Sequence, residues 1–133
     1  MRKIIIDTDT ATDDAVAIIM ALKCSDFDVK AITTVAGNVD LDLATNNALY
    51  TVELCKKNTP IYKGSSGPLK RRLETSKFFH GKDGLGDTGP YEPKGKEQKE
   101  NGVDKIISLI NSSPGVKSSP TFGYSTCKCW FKI

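Results

Sequence analysis

The sequence has no long hydrophobic run. Its longest apolar stretch, residues 15–22, is too short to cross a membrane as a helix. A basic start followed by residues 4–6 resembles the opening of a secretory signal, but the acidic residues from Asp7 onward interrupt any signal-peptide hydrophobic region. We therefore expect a cytosolic protein without a membrane partner.

Cysteine and histidine are also scarce. The pair Cys127 and Cys129 has no second pair at the spacing of a zinc site. Cys24 and Cys55 fall in predicted helices, where we expect buried thiols. His80 is the single histidine, and a lone histidine is more often structural than catalytic unless a motif surrounds it.

Neither sign of charge dominates. The 19 basic and 16 acidic residues are interspersed and give a net charge of +3 and a pI near 8.6. This pattern excludes the basic footprint of a nucleic-acid-binding protein. With 38 % hydrophobic and 26 % charged residues in 133 positions, the chain is expected to be one soluble domain, or part of one, with a modest core.

The apolar pattern predicts strands that alternate with helices. This order is typical of an open α/β sheet of parallel strands with right-handed crossovers. Residues 65–101 are rich in Gly, Ser, Lys and Pro and predict a long functional or disordered loop. The predicted elements are a strand at 3–6, a helix at 15–23 capped by Thr12, a strand at 29–35, a helix from Asp40 or Asp42 to about 57, a strand at 60–62 and a helix at 103–110.

Residues 7–14, which we call the acidic turn, follow the first predicted strand. Asp7, Asp9, Asp13 and Asp14 lie within this segment. The carboxyl ends of parallel strands form the ligand-binding edge of α/β proteins. Carboxylates this close repel one another unless a cation lies among them, and Ca²⁺ or Mg²⁺ prefers such oxygen ligands. Helix capping explains Asp13 and Asp14 but not Asp7 and Asp9, so the pattern favours metal-assisted hydrolysis.

The acidic turn resembles the DxDxxxDD signature of the inosine–uridine-preferring nucleoside hydrolases. Further segments are similar to that family in the same order, and together they cover about residues 3–113. They are the signature run at 4–15, the second strand with its asparagine at 31–38, the third strand at 60–64 and the HGxxGxG loop at 80–86. The resemblance implies a Rossmann-like enzyme that hydrolyses the N-glycosidic bond of ribonucleosides.

The resemblance also implies a calcium ion that holds the attacking water and the ribose hydroxyls. By match, Asp9 would be a calcium ligand and the base that activates the water. Asp14 would be a second calcium ligand, and Asp7 would support the metal from behind. Carboxylates around the sugar suit the positive charge that develops in an oxocarbenium-like transition state.

The substrate would be contacted by other residues of the same segments. Asp13 would hydrogen-bond a ribose hydroxyl, with Asn38 beside it. His80 would lie near the nucleobase or leaving group. Full-length members of the family are usually homo-oligomeric, and the partner implied for this chain is a ribonucleoside substrate.

Two departures from the family pattern affect these expectations. Thr10 and Ala11 stand where the family usually has Pro-Gly, and alanine lacks glycine's backbone freedom. The resemblance also ends near Gly115, before the family's fourth strand and its later calcium and ribose ligands. We therefore expect residues 1–115 to be the N-terminal part of a nucleoside hydrolase domain and 116–133 to be an unrelated, disordered or aberrant tail. A truncated chain of this kind is expected to be weakly active or inactive.

Other functions compete with this interpretation. A haloacid-dehalogenase-like phosphatase also places DxD after an apolar first strand, but Ala11 stands where its motif has Thr or Val, and it does not require Asp13 and Asp14. The non-enzymatic alternative is a half-domain that interacts with a full-length homologue. Residues 84–89 match GxGxxG, but they follow no predicted strand and open no helix, so we expect a flexible substrate loop rather than a dinucleotide site.

Overall fold

The computed structural model describes residues 1–70, 72–113 and the backbone of Trp130–Lys132. Strands and helices alternate through the first half of the chain, as the sequence predicts. The elements are β1 (Arg2–Thr8), α1 (Thr12–Lys23), β2 (Phe27–Thr34), α2 (Leu41–Leu54), β3 (Ile61–Lys63), α3 (Lys77–His80), α4 (Gly102–Asn111) and β4 (Trp130–Lys132).

The strands form one sheet in the order β3-β2-β1-β4. β1 pairs in parallel with β2, and β2 pairs in parallel with β3. Successive strand side chains point to opposite faces, and Ile4, Ile5 and Ile6 are all buried. A run that is apolar at every position is typical of a parallel strand covered on both sides, which confirms the predicted α/β fold.

Helices cover both faces of the sheet. Ile4 and Ile6 face α1 and α2, where they pack with Ile18 of α1 and Val52 of α2. Ile5 faces the other way and belongs to a smaller cluster against which α4 packs. The parallel strands therefore end together at one edge, and the acidic turn leaves the sheet there.

Two helices, α2 and α4, each bury only some of their apolar residues. α2 buries small residues such as Ala44 and Ala48, whereas Leu54 is exposed. In α4, Ile106 packs against the sheet while Ile107 is exposed. In each helix several apolar residues satisfy the helical period, and only tertiary packing selects which of them meet the sheet.

Two local predictions are wrong. Ala11, not Thr12, is the N-cap of α1, and Thr12 is the first helical residue. Cys24 is only half-buried, whereas Cys55 is buried as expected; each follows the last residue of its helix, and both thiols are free.

The predicted tail, residues 116–133, lies outside the described residues except for β4. Trp130–Lys132 pairs antiparallel with β1, with Phe131 opposite Ile5. The sequence of this segment gave no strand pattern, so its pairing was missed. The proposed boundary at Gly115 stays a prediction. No helix in the described ranges is long and apolar enough to cross a membrane.

Candidate active site

Asp9 is held at the carboxyl edge of the sheet by the segment that follows β2. Its Oδ2 accepts a hydrogen bond from the Asn38 backbone N–H at 2.6 Å. A Cβ added at Gly37 would overlap the Asp9 carboxylate, so only glycine lets the chain approach this closely. Asp9 as a residue is 9 % exposed. Its contact with Asn38 joins two of the segments on which the family resemblance rests.

Asp7 lies two residues before Asp9, near the end of β1 and opposite Thr33 of β2. Its Oδ1 accepts a hydrogen bond of 2.6 Å from the Thr33 hydroxyl. Burial raises the pKa of Asp7 above its usual value; the Thr33 hydrogen bond opposes this shift, and the negative charge of Asp9 adds to it. Asp7 thus lies on the sheet side of the acidic turn, and a nearby positive charge would favour its ionised form.

Asp14 is buried in the first turn of α1, whereas Asp13 is exposed. Asp14 Oδ2 accepts a hydrogen bond of 3.1 Å from the Ala11 backbone N–H. This contact is the carboxylate half of a capping box, and it orients Asp14 toward the turn. Asp13 is accessible to a ligand in solvent.

His80 lies against the start of α1 although it is distant in sequence. Its Nδ1 is 2.7 Å from the Thr12 hydroxyl oxygen, a contact between residues 68 positions apart. Thr12 was predicted as a helix cap, and its role as the partner of His80 was missed. No local sequence pattern predicts such a contact, because it depends on how residues 76–89 pack against the start of α1.

The segment of residues 80–89, which we call the His80 loop, is organised by Asp83. Its Oδ1 accepts from the backbone N–H groups of Leu85 and Asp87, both at 2.8 Å, and its Oδ2 accepts from Gly89 at 3.0 Å. Burial raises the pKa of Asp83, but these backbone hydrogen bonds together outweigh it and the net pKa is lowered. Residues 84–89 follow no strand and open no α-helix, so this GxGxxG match has no dinucleotide-binding context.

Two asparagines complete the surroundings of the acidic turn. Asn38 is buried, and its Nδ2 has no hydrogen-bond partner among the residues that the structure describes. Asn47 of α2 is also buried, and its Nδ2 donates to both Thr10 O and Asp83 O. Asn38 was predicted from the sequence as a site residue, whereas the role of Asn47 was missed. The available signal was an amide in the middle of an amphipathic helix, where a buried polar group needs partners.

The carboxylate oxygens of the site are the type of donor that a hard divalent cation binds, but the described residues place too few of them to hold one. Asp9 and Asp14 supply carboxylate oxygens, the ligand type that Ca²⁺ prefers. Within residues 1–70 and 72–113, no group of three or more His, Cys, Asp or Glu residues is placed to hold a metal ion. The role of Asp9 and Asp14 as metal ligands therefore stays a prediction.

Comparison with known proteins identifies the family. The family model described as inosine-uridine preferring nucleoside hydrolase matches residues 4–123. A probable uridine nucleosidase 2 of Arabidopsis thaliana is 39 % identical over 117 residues, which are 86 % of this chain and 36 % of that protein. The inosine-uridine preferring nucleoside hydrolase of Crithidia fasciculata is 38 % identical over 113 residues, which are 84 % of this chain and 36 % of that protein.

A solved structure agrees with these sequence matches. A plant nucleoside hydrolase superposes with a TM-score of 0.79 at 40 % identity, over 86 % of this chain and 37 % of that one. The chain thus spans little more than a third of the length of these relatives. The family match nevertheless covers most of the chain, and the chain belongs to the inosine-uridine preferring nucleoside hydrolase family.

Proposed function

We propose that the acidic turn and the His80 loop form part of an active site for calcium-dependent hydrolysis of the N-glycosidic bond of ribonucleosides, yielding ribose and free base. The observation that carries the proposal is the hydrogen bond from Asn38 N–H to Asp9 Oδ2. It fixes a carboxylate beside a buried asparagine at the sheet edge where α/β enzymes bind ligands. A purine and pyrimidine salvage role in the cytosol is part of the same proposal.

Asp9 and Asp14 are the proposed calcium ligands. A calcium ion held there would act as a Lewis acid and make a water molecule bound to it easier to deprotonate. Asp9 takes the proton from the attacking water at Oδ1, because Oδ2 is held by the Asn38 N–H. Asp7 supports this arrangement through its contact with Thr33.

Asp13, Asn38 and His80 are the proposed substrate contacts. Asp13 is exposed and can accept a hydrogen bond from a ribose hydroxyl. The Nδ2 of Asn38 has no partner among the described residues, and a buried donor of this kind is costly unless a ligand satisfies it. The contact of His80 with Thr12 leaves Nε2 to face the nucleobase or leaving group.

The chain alone is proposed to be weakly active or inactive. Calcium takes about six to eight oxygen ligands, and the carboxylates of Asp9 and Asp14 supply only a part of them. A half-domain that works with a full-length homologue is the alternative. Mixing the chain with such a homologue and measuring ribose release per mole of homologue would distinguish the two proposals.

The reaction is tested by incubating the chain with uridine or inosine and measuring reducing sugar, with calcium and with a chelator. Weak activity would give slow ribose release that needs calcium and that Asp9→Asn abolishes, whereas Asp104→Asn at an exposed position of α4 is the control and should change nothing. Hydrolysis of p-nitrophenyl phosphate with Mg²⁺, and none of nucleosides, would instead indicate a phosphatase and overturn the proposal.

A further inference from the structure

Asn47 connects two segments that the proposed function places in one site. It lies in the middle of α2 and is 1 % exposed. Its Nδ2 donates to Thr10 O in the acidic turn at 3.1 Å and to Asp83 O in the His80 loop at 3.0 Å. Both carbonyls are thus satisfied by a single nitrogen.

Only a few side chains can make this pair of contacts. The amide NH₂ of asparagine has two hydrogens, so it can donate to both carbonyls at once. A hydroxyl has one hydrogen, and an ionised carboxylate has none. An isosteric Asn47→Asp change would therefore keep the volume but place one acceptor oxygen, in the position of Nδ2, against both carbonyl oxygens.

The His80 loop is shaped to approach Asn47. A Cβ added at Gly84 would lie 2.9 Å from Asn47 Nδ2 and 2.9 Å from Val39 Cγ1, and Gly84 has a φ of +72°. Glycine at this position removes the steric barrier and tolerates the left-handed backbone. The same loop is closed by the Gly86 N–H, which donates to His80 O at 2.7 Å.

We propose that Asn47 is a positioning residue that fixes the His80 loop to the acidic turn, and through them holds His80 against Thr12. This role deepens the proposed function, because it makes the placement of His80 at the start of α1 depend on one amide of α2. Asn47 itself is not a catalytic residue, since its nitrogen is occupied by the two carbonyls.

The proposal is tested by NMR of the full chain. In the unmodified chain, both Asn47 side-chain amide protons should exchange with solvent about tenfold more slowly than those of exposed Asn58, because each is hydrogen-bonded in the interior. Equal exchange at the two side chains would overturn the proposal without any variant, even if the variants below do not fold.

Variants separate the donor role from packing. In Asn47→Asp, we expect backbone exchange at Gly84 and Gly86 to speed up about tenfold and the ring-nitrogen shifts of His80 to move. Asn46→Ala is the matched control, because it removes the neighbouring contact from Asn46 Nδ2 to Tyr91 O and should leave both readouts unchanged. Native behaviour of Asn47→Asp, or equal effects of the control, would overturn the proposal.

Calcium titration distinguishes this inference from the proposed function. If the chain binds calcium and Asn47→Asp keeps native loop exchange, the positioning role fails while the function stands. If the chain binds no calcium but Asn47→Asp releases the loop and shifts the His80 resonances, the positioning contact is supported and the proposed function is the part that fails.

Discussion

Gly37 is the residue at which the placement of Asp9 is most easily disturbed. A Cβ at this position would overlap the Asp9 carboxylate, so Gly37→Ala must shift either the carboxylate or the backbone after β2. We expect the free energy of unfolding to fall by about 1–3 kcal/mol, the usual cost of overpacking. Urea denaturation measures this change.

Gly67 provides the matched control for that substitution. An added Cβ there meets nothing within 4 Å. Gly67→Ala should therefore be neutral, or stabilise the fold by about 0.4–1 kcal/mol because alanine lowers the conformational entropy of the unfolded chain. Equal stability of the two variants would show that the Asp9 carboxylate does not occupy the space next to Gly37.

Thr12 sets the orientation of His80 through the 2.7 Å contact with Nδ1. Thr12→Val keeps the shape but removes the hydroxyl, so we expect the Nδ1 resonance of His80 to shift and its ring to become more mobile. Nitrogen-15 NMR of the imidazole measures both. Thr12→Ser keeps the hydroxyl and should resemble the wild type; identical spectra for the Val variant would contradict the contact.

The residues of the acidic turn were predictable from the sequence, whereas their hydrogen-bond partners were not. The acidic turn was found because Asp7, Asp9, Asp13 and Asp14 follow a buried strand within one short segment. The partners Thr12, Thr33 and Asn47 were missed because each contact joins segments distant along the chain. Such contacts follow from the fold rather than from local pattern.

At the scale of elements, Asp40 anchors both the start of α2 and the approach to α3. Its Oδ1 accepts from Leu43 N at 3.0 Å, and its Oδ2 accepts from Lys77 Nζ at 2.8 Å. The Lys77 hydrogen bond lowers the pKa of Asp40 below its usual value of 3.8, against the effect of burial and with help from the Leu43 N–H. Asp40→Ala is expected to cost about 1 kcal/mol through loss of the cap.

Because the folded-state pKa of Asp40 is lowered, its charged form stabilises the fold above the unfolded-state pKa. This contribution is lost as pH falls below 3.8. Asp40→Asn keeps a capping side chain but cannot ionise, so its stability deficit relative to the wild type should shrink below that pH. Lys77→Gln should give the same profile, and pH-independent deficits in both variants would contradict the ion pair.

The faces of α4 also make a testable contrast. Ile106 packs against the sheet, whereas Ile107 is 52 % exposed. Ile106→Ala should lower the free energy of unfolding by about 1–2 kcal/mol, less than for a fully buried isoleucine because it is only partly buried. Ile107→Ala should have little effect in the same denaturation experiment, and a reversed order would place the opposite face of α4 on the sheet.

At the scale of the whole molecule, the alternating order of strands and helices was predictable and the pairing of the last strand was not. β1, β2 and β3 each carry an apolar or β-branched run that local pattern reveals. Trp130–Lys132 joins β1 from the other side in antiparallel orientation, which its own short sequence does not indicate. The acidic turn lies at the carboxyl edge of the parallel strands, the edge at which α/β proteins bind ligands.

In the proposed function, the acidic turn binds calcium through Asp9 and Asp14. The decisive measurement is a titration of calcium chloride into the isotope-labelled chain that follows the backbone amides of Asp9, Ala11, Asp14 and Asn38. We predict saturable shifts confined to these amides in the millimolar range, as for weak oxygen-ligand sites, and their loss in both Asp9→Asn and Asp14→Asn. Amides that do not move with calcium, or variants that bind it as well as the wild type, would contradict the claim.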